Sequence, residues 1–576
     1  MNKNLRISLD KRLANRLLLL AIIVIGVCLR FYNFRDIPFT HDEFSALFRT
    51  NFNNFTDLIE KGVKVDGHPA GIQVFLFYWT KLFGTSEWVV KFPFLIFGVL
   101  SIYLIFLIAK VWYNETVALI SAAYMATLQF PVMYSQIARP YISGLFFVLA
   151  TFYFWTRLIK TPANHLYKNS IGYIIFCSLS AYNHHFSLLM VGILGIMGLF
   201  LIDKKYLGKY IIINFIVILL YLPHINIFFH QLSMGGVEGW LGKPKYDFIF
   251  DFLYYIFDFS NIVILLTLGI VLYGLKKARI KNLDYKNYLI FSILFFLPYL
   301  IGFVYSKYVS AVLQFSVLIF SFPFLFFLLF GHIKPQKAKF NFLIIVSIIS
   351  VNVFALIVER KHYQLFYNSR FEHIITDSEG LRNDSNAILL LDTHKKISSY
   401  YFKKLKIDSA AFIWLDDFKS EKDFIKFLQN SVSHKTKLYF GCVSTVNPVT
   451  YTIIKDYFPS VEWQKNYHGG TTYLFTTNTN KDSSYCITLN FDGQVSKNWT
   501  NVNPEKVTHE VFFSPNYAYY VDSAVEWGPT YTQYLHEIPH QQNDFIDVTV
   551  KILPVNEVKE ILVVSQLEAN GNLIDW

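Results

Sequence analysis

The sequence predicts a polytopic α-helical membrane protein of about eleven spans that carries a C-terminal α/β plus β-sandwich region. Three observations predict it. Hydrophobic residues make up 53% of the 576 positions and aromatic residues 18%, with a mean hydropathy of +0.35, a combination that soluble chains of this length rarely reach. The apolar residues come in long runs up to about Val358, and the chain beyond reads as soluble. Lys and Arg gather in the short connections between alternate runs, as cytoplasmic loops do. The last point also accounts for the net charge of +11. No basic patch with interleaved aromatics is present, so nucleic acid is not an expected partner.

Taken in order, Lys3, Arg6, Lys11, Arg12 and Arg16 precede the first apolar run, 17–34. No small-residue cleavage site follows, so this is an uncleaved span with its N-terminus in the cytoplasm. Further spans are expected at 88–112, 116–134, 139–158, 170–184, 186–202, 210–228, 249–274, 288–305, 311–330 and 340–358, on a ruler of roughly 20 apolar residues per crossing. The pair around Asn183-His184-His185 is either two short spans joined by a turn or one broken span. The first outer loop, 35–87, holds an expected amphipathic interfacial helix at 43–61, with Phe44, Leu47, Phe48, Phe52, Phe55, Leu58 and Ile59 at mostly three- and four-residue spacing. Residues 69–83 are apolar but too short to cross, and read as an interfacial or re-entrant helix. An odd number of spans leaves the C-terminal region outside. The expected divisions are 1–358, 359–480 and 481–576.

The tail opens with a buried-strand pattern at 386–392. A helix to Leu405, a strand at 410–415, a helix at 421–430 and a strand at 437–441 follow, which is the alternation of an α/β unit. It has no Gly-rich phosphate loop. From about Ser483 short strands rich in Tyr, Val and Thr take over, at 510–513, 518–521 and 545–552, ending in a hairpin turned at Asn570-Gly571. This sandwich reads as incomplete. Of the four cysteines, Cys28 and Cys177 lie in spans. Cys442 and Cys486 lie in the tail and are free to pair in an oxidising compartment.

Chemistry-bearing residues gather at span ends that this topology puts on one outer surface: Thr40-His41-Asp42-Glu43, Asp66-Gly67-His68-Pro69, and Tyr134-Ser135-Gln136-Ile137-Ala138-Arg139-Pro140-Tyr141. Asp42 has two readings, a helix cap or a general base that takes a proton from an acceptor hydroxyl or amine. Arg139 either snorkels to headgroups or presents its guanidinium fork to a lipid-linked phosphate. Lys307 is a second outer cation, an anchor or a partner of Arg139 at the phosphate. His41, His68, Tyr141 and Gln314 are expected around the substrate cavity. Trp240, in a Gly-rich loop, either stacks on a sugar or anchors the interface. His41, His68 and Asp42 are of metal-ligating types without compact ligand spacing; no cofactor is expected, and a divalent ion is the alternative.

The combination of a first span ending in Arg-Phe, a loop with Asp-Glu, a later His-Pro opening an apolar helix, and Ser-Gln-x-Ala-Arg-Pro-Tyr before the fourth span resembles the GT-C glycosyltransferases. The resemblance is to the branch of protein O-mannosyltransferases and lipid A aminoarabinose transferases, and it covers about residues 17–330. It implies a GT-C fold and inverting transfer of a sugar from a polyprenyl-phosphate donor to a lipid, glycan or protein acceptor. The setting it implies is the outer face of a bacterial inner membrane. It matches Asp42 to the catalytic carboxylate and Glu43 to its neighbour, which makes both expected catalytic residues, Arg139 to the donor phosphate and His68-Pro69 to the helix bordering the cavity. The chain departs from the pattern near the ninth span. Lys307-Tyr308 and Gln314 stand where the family often has Arg-Tyr, which leaves that role open between Lys307 and Gln314. The rival reading is a polytopic transporter or flippase of a lipid-linked glycan, which would show internal repeats and broken helices.

Overall fold

The structure, a computed structural model, describes residues 3–234, 241–277, 284–443, 447–478, 498–508, 518–521, 528–538, 566–569 and 572–575. The chain divides into two units, Met1–Ser369 and Arg370–Trp576.

In the first unit, six described helical segments are long and apolar enough to cross a membrane: Leu13–Phe31, Glu87–Trp112, Ile142–Lys160, Lys204–Ser233, Tyr285–Tyr308 and Ala338–Glu359. Two bent pairs raise the number to eight if each pair is one span. The first pair, Glu115–Thr127 and Gln129–Ser135, bends by 56°. Leu128 between them is extended, and Pro131 inside the second helix has no N–H for the carbonyl four residues back. The second pair, Phe248–Ile256 and Asn261–Lys276, bends by 87°, with Asp258 and Phe259 both left-handed between its helices (φ 60° and 51°).

Among the described residues six to eight segments pass as full crossings by length and composition, against eleven expected, and the difference is local. The 311–330 run is not one span. Val309–Phe315 is non-helical, Ser316–Phe320 is a 3-10 turn, and Pro323–Phe330 is an eight-residue helix that Pro323 starts. The Ser306 hydroxyl accepts the N–H groups of Val312 and Leu313, which stabilises this interruption. Around His184 there are two helices, Leu166–Asn183 and His185–Leu201, separated by one extended residue.

The first loop is also more broken than its periodicity implies. Helix His41–Phe48 stops at Arg49. The asparagines at 51, 53 and 54 favour turns over helix, and Asn54 caps a fresh short helix by accepting the Asp57 N–H. A π-helical turn, Leu58–Val63, follows. The expected 69–83 helix is present as Ala70–Phe83 and ends at Gly84, whose φ of 96° suits glycine. Its apolar face packs with Leu58, Val63 and Ile227.

The second unit holds a five-stranded sheet: β1 Ala387–Asp392, β2 Phe412–Trp414, β3 Lys437–Val443, β4 Ser460–Tyr467 and β5 Gly470–Thr476, in the order β2-β1-β3-β5-β4. β1 pairs parallel with β2 and β3, while β5 runs antiparallel to β3 and β4. Ile388, Leu390, Leu438, Phe440, Tyr473 and Phe475 share a core with Phe424, Leu428 and Ile454 from helices Glu421–Ser431 and Pro448–Tyr457, and with Phe458 at the end of the latter. The α/β elements expected to 441 are all present, and the last helix and the β4–β5 hairpin extend them. Beyond 478, the described residues form three two-stranded ladders: 499–500 with 530–531, 507–508 with 518–519, and 567–569 with 572–575. The strands expected at 510–513 and 545–552, the turn at Asn570-Gly571 and Cys486 lie outside the described residues.

Candidate active site

The two readings of Asp42 separate once the helix start is seen. Thr40, not Asp42, is the N-cap of His41–Phe48. Its hydroxyl accepts the Glu43 N–H, and the Glu43 carboxylate accepts the Thr40 N–H, closing a capping box. Asp42 is thereby released from a capping role, and its side chain is exposed.

Glu43 points the other way and is fully buried. Oε1 accepts from Lys91 Nζ (2.7 Å) and the Ala138 N–H (2.7 Å); Oε2 accepts from Lys91 Nζ (2.7 Å) and the Thr40 N–H (2.8 Å). Lys91, also fully buried, donates further to the Gln136 carbonyl (2.8 Å). A buried ion pair is tolerable when its remaining bonding capacity is satisfied, and here both groups are saturated. Glu43 therefore joins the Asp42 helix, the Glu87–Trp112 helix and the Gln136–Arg139 turn.

Arg139 belongs to a second cluster, centred on Asp66. The carboxylate takes Arg49 at 2.9 Å, the Gln73 amide at 3.1 Å and Arg139 at 3.8 Å. His68 Nδ1 stands 3.1 Å from Asp66 and 3.0 Å from Arg139 Nη2. Protonated at Nδ1 it donates to Asp66; unprotonated there it accepts from Arg139. Burial pushes the Asp66 carboxyl up, but His68, through its charge and hydrogen bond, and then Arg139 and Arg49 hold it below the usual carboxylate range. One carboxylate between two guanidiniums leaves an excess positive charge. Arg139 is buried, and its Nε has no hydrogen-bond partner.

The clusters adjoin at Tyr141. The charges acting on its hydroxyl are Arg139, Asp42 and Asp66, and its ring lies 6.0 Å from His184, which in turn packs edge-on against His68 at 5.2 Å. His68, Arg139 and Tyr141 are thus brought together, and Asp42 is adjacent in sequence to Glu43, which accepts the N–H of Ala138 next to Arg139. His41 is exposed beside Asp42. Lys307 sits in the last turn of Tyr285–Tyr308 with its ammonium 4.6 Å from the centre of the Tyr246 ring. Among the described contacts none links Lys307 to Arg139. Gln314 is half-buried in the interruption after that helix. Trp240 lies outside the described residues. The proposed metal set fits poorly: His68 has a guanidinium at hydrogen-bond distance, and no described group of three or more His, Cys, Asp or Glu could hold an ion.

Sequence reasoning missed Lys91 and Arg49, and quoted Asp66, and Arg30 in the Arg-Phe that ends the first span, without giving either a role. Lys91 and Arg30 had a usable signal, since a cation inside an apolar run needs a buried partner. Arg30 finds its partners at the bend after Thr127. It donates to the Met125 and Ala126 carbonyls, left open where that helix stops, and to Ser135 Oγ. Gly98 makes room: a Cβ there would lie 2.1 Å from Ser135 Oγ and 2.9 Å from Arg30 Nε.

Residues 67–228 match the family described as dolichyl-phosphate-mannose-protein mannosyltransferase. The matched stretch includes His68-Pro69 and Arg139 and begins after Asp42. No curated protein matches significantly. Among solved structures, ArnT from Cupriavidus metallidurans bound to undecaprenyl phosphate is similar at 8% identity, over 79% of this chain and 97% of that one, with a TM-score of 0.47. The Archaeoglobus fulgidus oligosaccharyltransferase in complex with Zn and sulfate is similar at 12% identity, over 73% and 67%, with a TM-score of 0.40. The family match falls within residues 17–330, the stretch over which the resemblance was expected.

Proposed function

We propose that the chain is an integral-membrane glycosyltransferase that moves a sugar from a polyprenyl-phosphate donor to an acceptor at the outer face of a bacterial inner membrane. The observation that carries the reading is the division of labour between adjacent acids. Thr40 and Glu43 complete the helix cap and the buried ion pair, which leaves Asp42 exposed with no described structural bond beside Tyr141 and the Arg139–His68–Asp66 cluster.

In the proposed reaction an acceptor hydroxyl or amine attacks the anomeric carbon from the face opposite the phosphate. The carbon–oxygen bond to phosphate breaks, its electron pair leaves with the polyprenyl phosphate, and the proton from the nucleophile goes to the Asp42 carboxylate. The anomeric configuration inverts. Arg139, with the net positive charge that Arg49 adds around Asp66, stabilises the dianionic leaving group. His68 adjusts to it: when phosphate draws Arg139 away, Nδ1 is free to hold Asp66 instead. Glu43 acts as a positioning residue, and no step requires a metal. The acceptor is a lipid A, surface glycan or protein group, and the N-terminus is cytoplasmic.

The test is mass spectrometry of lipid A, surface glycan and envelope protein from cells carrying wild-type protein or Asp42→Asn. A sugar mass lost from one pool in the variant supports the reading and identifies the acceptor. No change in any pool, with the variant inserted normally, removes Asp42 as the base. The 87° break between Phe248–Ile256 and Asn261–Lys276 is a feature that a flippase of a lipid-linked glycan would also show. Cleavage of a polyprenyl-phosphate sugar by the purified protein separates the two.

A further inference from the structure

Gln136, three residues before Arg139, has every polar group engaged. Its side-chain amide donates to the Arg30 carbonyl (3.1 Å) and to the Tyr367 hydroxyl (2.9 Å). Its Oε1 faces His362 Nε2 at 2.9 Å. Its backbone carbonyl accepts from Lys91 and its backbone N–H donates to Met133. Because the Gln136 amide nitrogen is spent on Arg30 and Tyr367, His362 must donate from Nε2 to Oε1. His362 Nδ1 is then an acceptor, and the Gln129 amide lies 3.4 Å from it. The Gln129 Oε1 is occupied by Arg360 at 2.8 Å, which fixes that amide's orientation. The imidazole is 1% exposed.

The same short segment, 360–367, also finishes the first membrane helix. Three carbonyls at or just beyond its end accept from side chains: Leu29 from Tyr363 (2.6 Å), Arg30 from Gln136, and Tyr32 from Tyr367 (2.6 Å). Helix ends leave such carbonyls without intrahelical partners, and the loop that carries Asp42 leaves from this point. Direct hydrogen bonds therefore tie His362 to the Gln136 side chain, and the Gln136 backbone carbonyl to Lys91 and through it to Glu43. They end one residue from Asp42 and, through the Ala138 N–H, one residue from Arg139.

We propose that His362 is a positioning residue for the transfer reaction: as a neutral donor to Gln136 it sets the Ser135–Arg139 turn, and with Tyr363 and Tyr367 it fixes the end of the helix from which the Asp42 loop departs. Neither the acid nor the arginine touches His362. Its effect passes through a hub whose bonds are all spent, so it cannot shift without moving the turn. This rests on the glycosyltransferase reading only in assigning Arg139 to the donor phosphate.

The test uses the full-length protein in detergent and undecaprenyl phosphate as the probe. Binding is measured for wild type, Arg139→Ala, His362→Leu and His362→Gln, alongside each variant's thermal unfolding. Glutamine carries an amide N–H near the place of Nε2, so it restores the donor; leucine does not. His362→Leu is expected to bind about tenfold more weakly, approaching Arg139→Ala, while His362→Gln stays within about threefold of wild type. Equal binding by wild type and His362→Leu overturns the inference. So does equal weakening in both His362 variants with a matching loss of thermal stability, which marks a packing role alone. If the wild type itself does not bind the probe, the donor-phosphate reading of Arg139 fails, and this inference falls with it.

Discussion

Replacing Lys91 by methionine isolates the scaffold beneath the site. Methionine fills most of the lysine stem, so little volume changes, but the ammonium goes. With it go both bonds to Glu43 and the bond to the Gln136 carbonyl, at 2.7, 2.7 and 2.8 Å. Glu43 keeps the Thr40 and Ala138 N–H groups and remains a fully buried carboxylate without a counter-charge. Breaking a buried pair from one side costs about 3–5 kcal/mol. Glu43→Gln should cost a similar amount, because its amide nitrogen must face one of the two backbone donors and Lys91 is left unpaired. The double variant removes both charges, so the costs should not add; a coupling of about 2–3 kcal/mol is expected. Reversible unfolding in mixed micelles measures all three. Lys91→Met within about 1 kcal/mol of wild type, or strictly additive single variants, would refute a structural role for the pair and reopen Glu43 as a second catalytic acid.

Asp42→Asn should abolish transfer while changing stability by less than about 0.5 kcal/mol, since Asp42 is exposed and Thr40 supplies the cap; product mass and unfolding are read on the same preparation. Thr40→Ala should cost about 1 kcal/mol and lower turnover without eliminating it, measured by unfolding and by donor cleavage. Asp66→Asn removes the charge that holds Arg49 and Arg139 together, and a stability loss of about 2 kcal/mol should appear in thermal unfolding. Burial, and then Arg360, push the His362 imidazole down to about 4 from 6.5. The unfolded chain therefore takes up a proton below pH 6.5 that the folded protein resists, so stability is full above that pH and declines as pH falls toward 4. Between pH 7 and 5 this one group should cost wild type about 2 kcal/mol, an increment that His362→Gln lacks.

The parts of this molecule that were legible in the sequence are those where polarity and position agree. Thr40–Glu43, Asp66–His68 and Ser135–Tyr141 stand out because each is a polar cluster at the end of an apolar run, and the structure gathers them. The strands at 386–392 and 437–441 were readable because a short, bounded apolar run in a polar tail has few other uses. What escaped depends on partners distant in sequence. The 311–330 run has the composition of a span, but Ser306 accepts two of its N–H groups, and its interior location makes a non-helical backbone acceptable there. Periodicity joined 43–61 into one helix because it counts phenylalanines and leucines and is blind to Asn54, whose side chain accepts the Asp57 N–H and starts a new helix. Lys91 was visible as a misplaced cation, yet its meaning required Glu43, 48 residues away, and Gln136, 45 residues away. His362 was further still from legibility. It lies in a segment that reads as the start of a soluble tail, and it acquires a role because Gln129 and Gln136 converge on it, and the end of the first helix on its neighbour Tyr363, from the other end of the unit. The proposed reacting groups lie where the apolar runs stop. The groups that hold them still are set by which of those ends meet in space, and that depends on the three-dimensional packing of all the runs together.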